Sequence, residues 1–191
     1  YEIEWTRAAA AMGIIENPVT TGLPDGVPYS ITVGNHDQTP IYDPTGTTTF
    51  YNQYFGAAHF AGRAYYGGHH GSNNDNHFSL FSSNGLDFIA ISMEYDTAPD
   101  APVLAWADSL LAAHPGRWGL VSVHNLINTG LQASWASQGS ATYDALKDNP
   151  NLFLMVCGHV AGEGRRSDTY LGRTVHTLMS DYQGRTNGGN G

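Results

Sequence analysis

The tetrapeptide at positions 34–37 offers an amide, an imidazole and a carboxylate in succession, from Asn35, His36 and Asp37. It follows residues 27–33, in which apolar side chains alternate with other residues as they do in a half-buried strand. Ligands of open α/β sheets bind beyond the carboxyl ends of the strands. The tetrapeptide is therefore predicted to lie at a ligand site, at the end of a strand.

Two further apolar runs end in histidine. Residues 118–123 precede His124, and residues 152–156 are followed by Cys157-Gly158-His159. Imidazole nitrogens bind zinc, iron and manganese, and an amide oxygen such as that of Asn35 suits a harder divalent ion. Asn35, His124 and His159 are thus predicted to meet around one cation. Their shell is incomplete and requires at least one carboxylate and a water.

The elements that must position these residues form an α/β pattern. Helices are predicted over residues 2–17, 50–55, 99–114 and 140–147, with Ser140 as N-cap of the last. Apart from the runs already described, strands are predicted over residues 77–82, 86–93, 169–170 and 174–179. The sequence shows neither an internal repeat nor a linker, so residues 1–191 are treated as a single domain.

Composition limits the classes of function. The formal net charge is −9, which disfavours nucleic-acid binding through basic patches. The single cysteine, Cys157, cannot form an internal disulfide or a cysteine zinc cluster. No apolar run is long enough to span a membrane. Few lysines and many Gly, Asn, Thr and Tyr residues suggest a secreted or cell-envelope protein.

The strand-end motifs, Gly34-Asn35-His36-Asp37, then His124, then Gly158-His159, resemble those of the calcineurin-like metallophosphoesterases. The resemblance implies a sandwich of two mixed β-sheets flanked by helices, and hydrolysis of small phosphoesters by water that two divalent transition metals (Zn, Fe or Mn) activate. It implies that Asn35, His124 and His159 hold the second metal. His36 would stabilise the phosphate or protonate the leaving group, and Asp37 would orient the His36 side chain.

The chain departs from the family pattern at the first metal. The Asp-x-His and Gly-Asp-x-x-Asp motifs do not precede Asn35, and Asp75-Asn76-His77 matches the former in letters only. The final Gly-His-x-His motif ends here in Ala161. Glu163 could supply an oxygen ligand, although a surface role is favoured. Arg165 and Arg166 could bind a substrate phosphate through bidentate hydrogen bonds, or form a solvated turn.

Two explanations fit these departures. In the preferred one, the 191 residues are a segment of a longer chain, incomplete at both ends, whose upstream part carries the missing carboxylates. In the alternative, the domain is a degenerate module with a binding or structural role and no catalysis, as Ala161 suggests. A carbohydrate-binding or adhesive module ranks last, because its aromatic residues form no visible platform.

Overall fold

The computed structural model describes residues 2–190, and the side chains of residues 189 and 190 are left undescribed. Eight strands form one mixed sheet in the order β1-β2-β3-β4-β6-β8-β7-β5. The strands are β1 (Tyr66–His69), β2 (His77–Ser83), β3 (Leu86–Met93), β4 (Trp118–Val123), β5 (Gly130–Leu131), β6 (Leu152–Cys157), β7 (Gly162–Tyr170) and β8 (Arg173–Asp181). Helices flank this sheet, so the predicted α/β class is confirmed.

Four neighbouring strands of the sheet, β3, β4, β6 and β8, run parallel to one another. Antiparallel strands β2 and β7 border this block, and each forms a hairpin with its parallel neighbour, β3 or β8. The carboxyl ends of β3, β4, β6 and β8 therefore lie along one edge. Side chains that follow these four strands are brought together there although they are far apart in sequence.

Helices cover one face of the parallel block. The α-helices described in residues 2–190 are α1 (Glu2–Glu16), α2 (Pro18–Thr21), α3 (Thr49–Phe55), α4 (Ala57–Phe60), α5 (Ala101–Ala113) and α6 (Ser137–Leu146), and a 3₁₀-helix covers Thr186–Asn190. Leu111 of α5 and Leu146 of α6 are fully buried in one cluster with Val121 and Met155 of the sheet. Burying such side chains contributes about 1.5–3 kcal/mol each. This core fixes the strands that carry the site.

A second cluster joins α1, α3 and α4 to the extended segment 27–33. Val33, Tyr51 and Phe55 are buried in it, and Trp5 and Met12 of α1 pack against it. The predicted helices over residues 2–17 and 50–55 are confirmed by α1 and α3. None of the helices described in residues 2–190 is both long and apolar enough to cross a membrane.

The predicted strand over residues 27–33 is wrong as a strand. The segment is extended, but it joins no ladder of the described sheet. It lies across β3 and β4, where the Thr32 and Ser122 hydroxyls are 2.7 Å apart and the Val33 carbonyl accepts a hydrogen bond from Tyr95 N–H at 3.0 Å. The alternation of apolar residues reflects one buried side, and a ladder requires a neighbouring backbone that residues 2–190 do not supply.

Smaller differences concern element ends. Helix α6 begins at Ser137, so Ser140 lies within it and is not its N-cap; Ser140 Oγ donates to the Ser137 carbonyl. Strands β7 and β8 pair over nine residues each, well beyond the predicted 169–170 and 174–179. Their alternating polar side chains, such as Glu163 and Arg165, face solvent in a hairpin near one end of the sheet, which hid the strand pattern in the sequence.

Candidate metal centre

An open cavity of about 550 Å³ lies at the edge where the parallel strands end. The loop after segment 27–33 and the residues that follow β4, β6 and β8 line it. Its lining residues are Gly34, Asn35, His36, Asp37, Tyr42, His124, His159, Ala161, Asp181, Gln183 and Gly184. The sequence motifs at positions 34–37, 124 and 159 therefore share one cavity.

The predicted metal ligands converge within this cavity. Asn35 Oδ1 is 2.8 Å from His124 Nε2, which in turn is 3.1 Å from His159 Nδ1. His124 Nε2 carries at most one proton, so it can donate a hydrogen bond either to Asn35 or to His159 but not to both. Ligand atoms at 2.0–2.1 Å from a cation, on adjacent octahedral positions, are about 3 Å apart. The donor types and spacing thus fit a divalent transition metal.

The surrounding structure keeps these donors available. Burial, with the nearby His159, lowers the pKa of the His124 imidazole to about 4, so the ring is neutral at pH 7 and can ligate. Asn35 is fully buried, yet its Nδ2 has no hydrogen-bond partner within residues 2–190. An unbonded buried donor costs about 1–3 kcal/mol. The arrangement is therefore better suited to a ligand than to fold stability.

His159 is held in an uncommon backbone conformation. Its φ is +71°, a left-handed value that non-glycine residues seldom adopt. A hydrogen bond from Gly158 N–H to the His124 carbonyl, 3.1 Å long, ties the end of β6 to the end of β4. This turn directs the His159 ring against that of His124, with centroids 4.8 Å apart. Strained residues of this kind cluster at functional sites.

The loop 34–37 is closed by its own aspartate. Asp37 Oδ2 accepts the Gly34 N–H at 2.7 Å, and Asp37 N–H donates to the Gly34 carbonyl at 3.0 Å. Burial raises the pKa of the Asp37 carboxyl, while the Gly34 hydrogen bond acts in the opposite direction. Within the described residues Asp37 makes no hydrogen bond to His36. Its contact is with the loop backbone, and the predicted orienting of His36 would act through that loop.

Gly34 allows the His124 ring to approach the loop. A Cβ at position 34 would lie 3.0–3.2 Å from three atoms of the imidazole. Gly34→Ala is therefore expected to displace the ring by a few tenths of an ångström and to weaken metal binding about 10–100-fold, as other changes around metal ligands do. Calorimetric titration with Mn²⁺ measures this. Gly184→Ala is the control, because it lines the same cavity with nothing within 4 Å; equal affinity in both variants contradicts the prediction.

His36 lies at the mouth of the cavity and is exposed. Its ring centroid is 6.2 Å from that of Tyr42, whose own φ of +69° is also left-handed. Tyr42 N–H donates to the Asn35 carbonyl at 3.2 Å, which links this residue to the loop 34–37. An exposed imidazole beside a cavity can reach a substrate placed there, which suits a proton donor.

The two arginines predicted to bind substrate lie elsewhere. Arg165 and Arg166 line a different depression, together with Leu131 and Phe153, and neither lines the cavity of Asn35. Arg166 donates to Asp168 at 2.6 and 2.7 Å and to the Ala133 carbonyl at 2.6 Å. Its guanidinium is thus engaged within the domain, and the substrate role of both residues stays a prediction.

The other candidates from sequence also have defined places. Asp75 is buried and accepts hydrogen bonds from Thr48 and Asn52, which makes it part of the core. Glu163 is exposed and pairs with Arg185 at 2.7 Å. Ala161 lines the cavity and brings no donor atom to it. Within the described part of the chain, no three His, Cys, Asp or Glu side chains group as a metal site; the cluster above depends on the Asn35 amide as its third donor.

Two residues of the cavity region escaped sequence reasoning. Asp181 ends β8 and lines the cavity. Tyr95 follows β3, and its ring lies 5.8 Å from that of His124 and 5.5 Å from that of His159. The rule that found His124 and His159, a functional side chain just beyond a parallel strand, applies equally to both. The parallel direction of β3 and β8, which places both residues at this edge, is a tertiary property that the sequence pattern does not show.

Glu94, beside Tyr95, has a strongly perturbed carboxyl. Burial and the charge of Asp75 raise its pKa to about 7 from an ordinary 4.5. The folded state therefore binds a proton that the unfolded state releases between these values, so Glu94 lowers the free energy of unfolding as pH rises from about 4.5 to 7. Allowing for partial exposure, the loss is about 1–2 kcal/mol.

Glu94→Gln is thus expected to raise the unfolding temperature at pH 8 by about 2–6 °C. Well below pH 4.5, at about pH 3.5, the wild-type carboxyl is protonated in both states, so the variant should match the wild type. Thermal unfolding across this pH range measures the difference. Asp148→Asn, at an exposed position, serves as control. A constant offset between Glu94→Gln and the wild type across the range would contradict the prediction.

No family model matches this chain. The uncharacterized protein YvnB of Bacillus subtilis (strain 168) is 28% identical to it over 195 residues, which cover 98% of the chain. The chain spans 14% of the length of that relative. This chain is therefore similar to a short part of a much longer bacterial protein whose name assigns no activity.

Proposed function

We propose that this domain is a metal-dependent phosphoester hydrolase of the calcineurin-like metallophosphoesterase type, acting on small phosphomonoesters or phosphodiesters. One observation carries the proposal. His124 Nε2 lies 2.8 Å from Asn35 Oδ1 and 3.1 Å from His159 Nδ1, although these residues are up to 124 positions apart in the sequence. These three residues are the ligands that the motif resemblance assigns to the second metal.

The residues present fit a divalent cation, with Asn35, His124 and His159 as its ligands. When bound, divalent cations in such sites polarise the phosphoryl oxygens and lower the pKa of the attacking water. The protein itself contributes positioning. Gly34 lets the His124 ring approach the loop, and the left-handed turn at His159 directs the second imidazole to the same point.

His36 is the residue we assign to the leaving group. It is exposed at the cavity mouth, one position from the ligand Asn35, and can donate a proton to the departing oxygen or a hydrogen bond to the phosphate. Asp37 holds the loop that presents it through the 2.7 Å hydrogen bond from Gly34 N–H. Side chain and loop thus act together in this proposal.

The proposal includes a second sheet, giving the two-sheet sandwich. Within residues 2–190, the backbone N–H groups of residues 29–33 have no acceptor, although the segment is largely half-buried. The face of β4, β6 and β8 opposite α5 and α6 also leaves Trp118 48% and Leu178 47% exposed. Unpaired extended backbone beside apolar sheet surface favours additional strands, which other residues of a longer chain would supply.

A degenerate binding module is the second candidate. Ala161 favours it, because the residue that resemblance assigns to the first metal has no donor atom. In that case the cation at Asn35, His124 and His159 would be structural, or it would bind an anion without turnover.

The test is elemental analysis of the purified full-length protein together with hydrolysis assays on aryl phosphate mono- and diesters. Bound transition metal and turnover that is lost with a chelator and restored by Mn²⁺ or Zn²⁺ is the expected result. Bound metal without turnover on either class would support the degenerate module. Absence of metal under saturating conditions would overturn both candidates.

A further inference from the structure

Asp181 is the carboxylate of the cavity for which neither the motifs nor the comparisons supply a role. It ends β8, the parallel strand beside β6, and lines the cavity with His124, His159 and Ala161. In the antiparallel pairing of β7 with β8, Asp181 lies directly opposite Gly162. Ala161 precedes that glycine, so the pairing brings the backbone at Ala161 next to that of Asp181.

The Asp181 carboxylate is only partly engaged. Its Oδ1 accepts the Gln183 N–H at 2.9 Å, which closes a short turn after β8. Within residues 2–190, the other oxygen makes no hydrogen bond or ion pair. A half-buried carboxylate with a free oxygen at the wall of a cavity containing two imidazoles is a suitable ligand for a divalent ion.

Asp181 is an acidic side chain on the wall of the cavity that His124 and His159 also line. Its negative charge would favour a cation at this end of the cavity. Because no three His, Cys, Asp or Glu side chains group as a metal site in the described residues, Asp181 belongs beside the Asn35–His124–His159 cluster and not within it.

We propose that Asp181 supplies the oxygen ligand for the first metal position, in place of the imidazole that Ala161 lacks. This inference rests on the proposed function. It states that a ligand lost at the end of β6 has been replaced from the neighbouring strand β8, so the departure at Ala161 does not by itself remove the metal site.

The test counts metal ions in the full-length protein. The wild type and its variants are stripped with a chelator, titrated with Mn²⁺ by calorimetry and analysed for ions per chain. We expect two ions in the wild type and one in Asp181→Ala. In the double variant Ala161→His with Asp181→Ala, the restored imidazole should restore binding of the ion at the first metal position, giving two ions per chain again. Glu163→Gln, an exposed carboxylate two positions from Ala161 on the same hairpin, should bind as the wild type does.

Asp181→Asn guards against a folding defect, because its amide oxygen can still accept the Gln183 N–H. This variant should fold as the wild type does, and it should bind the ion at the first metal position at least about tenfold more weakly. If Asp181→Ala binds as many ions as the wild type with equal affinity, the inference is overturned while the proposed function stands. If the wild type binds no metal, the proposed function itself is overturned.

Discussion

Replacing His159 with alanine is expected to abolish phosphoester hydrolysis and to weaken metal binding by more than about 100-fold. Loss of a group that merely supports a ligand already costs about 10–100-fold, and His159 is assigned as a ligand itself. Its Nδ1 lies 3.1 Å from His124 Nε2, so the substitution removes one of the three converging donors. Metal affinity by calorimetry and turnover of an aryl phosphate measure the two effects.

Two companion variants separate ligation from folding. His176→Ala removes an exposed imidazole of β8 that contacts Ser167, outside the cavity, and should leave both measurements unchanged. His159→Gly also removes the imidazole, but glycine adopts the φ of +71° without strain. It should therefore be at least as stable as His159→Ala and equally inactive. Wild-type turnover in either His159 variant would refute the assignment.

Replacing His36 with alanine is expected to lower turnover by about 10²–10⁴-fold, the usual contribution of a general acid, without loss of metal. The reason is that His36 is exposed at the cavity mouth, whereas the three proposed ligand atoms lie on less exposed side chains, and no hydrogen bond joins them to the His36 ring within the described residues. Steady-state kinetics and elemental analysis of the same preparation measure both properties. Loss of metal in this variant would contradict the separation of the two roles.

The leaving group distinguishes the two chemical roles of His36. A leaving oxygen of low pKa, as in a nitrophenyl phosphate, departs without a proton, so a missing acid should matter less for it than for an alkyl phosphate. A deficit that grows with leaving-group pKa therefore supports proton donation. A deficit that is equal for all leaving groups supports a hydrogen bond to the phosphate instead.

The buried strands and long helices could be predicted because their signals are local. An unbroken apolar run indicated β4 and β6, and a periodic apolar stripe indicated α1 and α5. The strand predicted over residues 27–33 was wrong because its signal is also local. Alternation of apolar residues indicates only which side of a segment is buried. It does not report whether a neighbouring backbone is present to form the ladder.

The sequence by itself determined which donors this protein can offer a cation, since Asn35, His124 and His159 each follow an apolar segment. Only the tertiary structure decided what stands around them. In the folded chain Arg166 is hydrogen-bonded to Asp168, and His159 adopts a left-handed backbone conformation. Asp181 lines the cavity, and the Tyr95 ring lies beside that of His159. Those outcomes depend on strand order and direction, which arise from contacts between distant segments and leave no periodic trace in the chain.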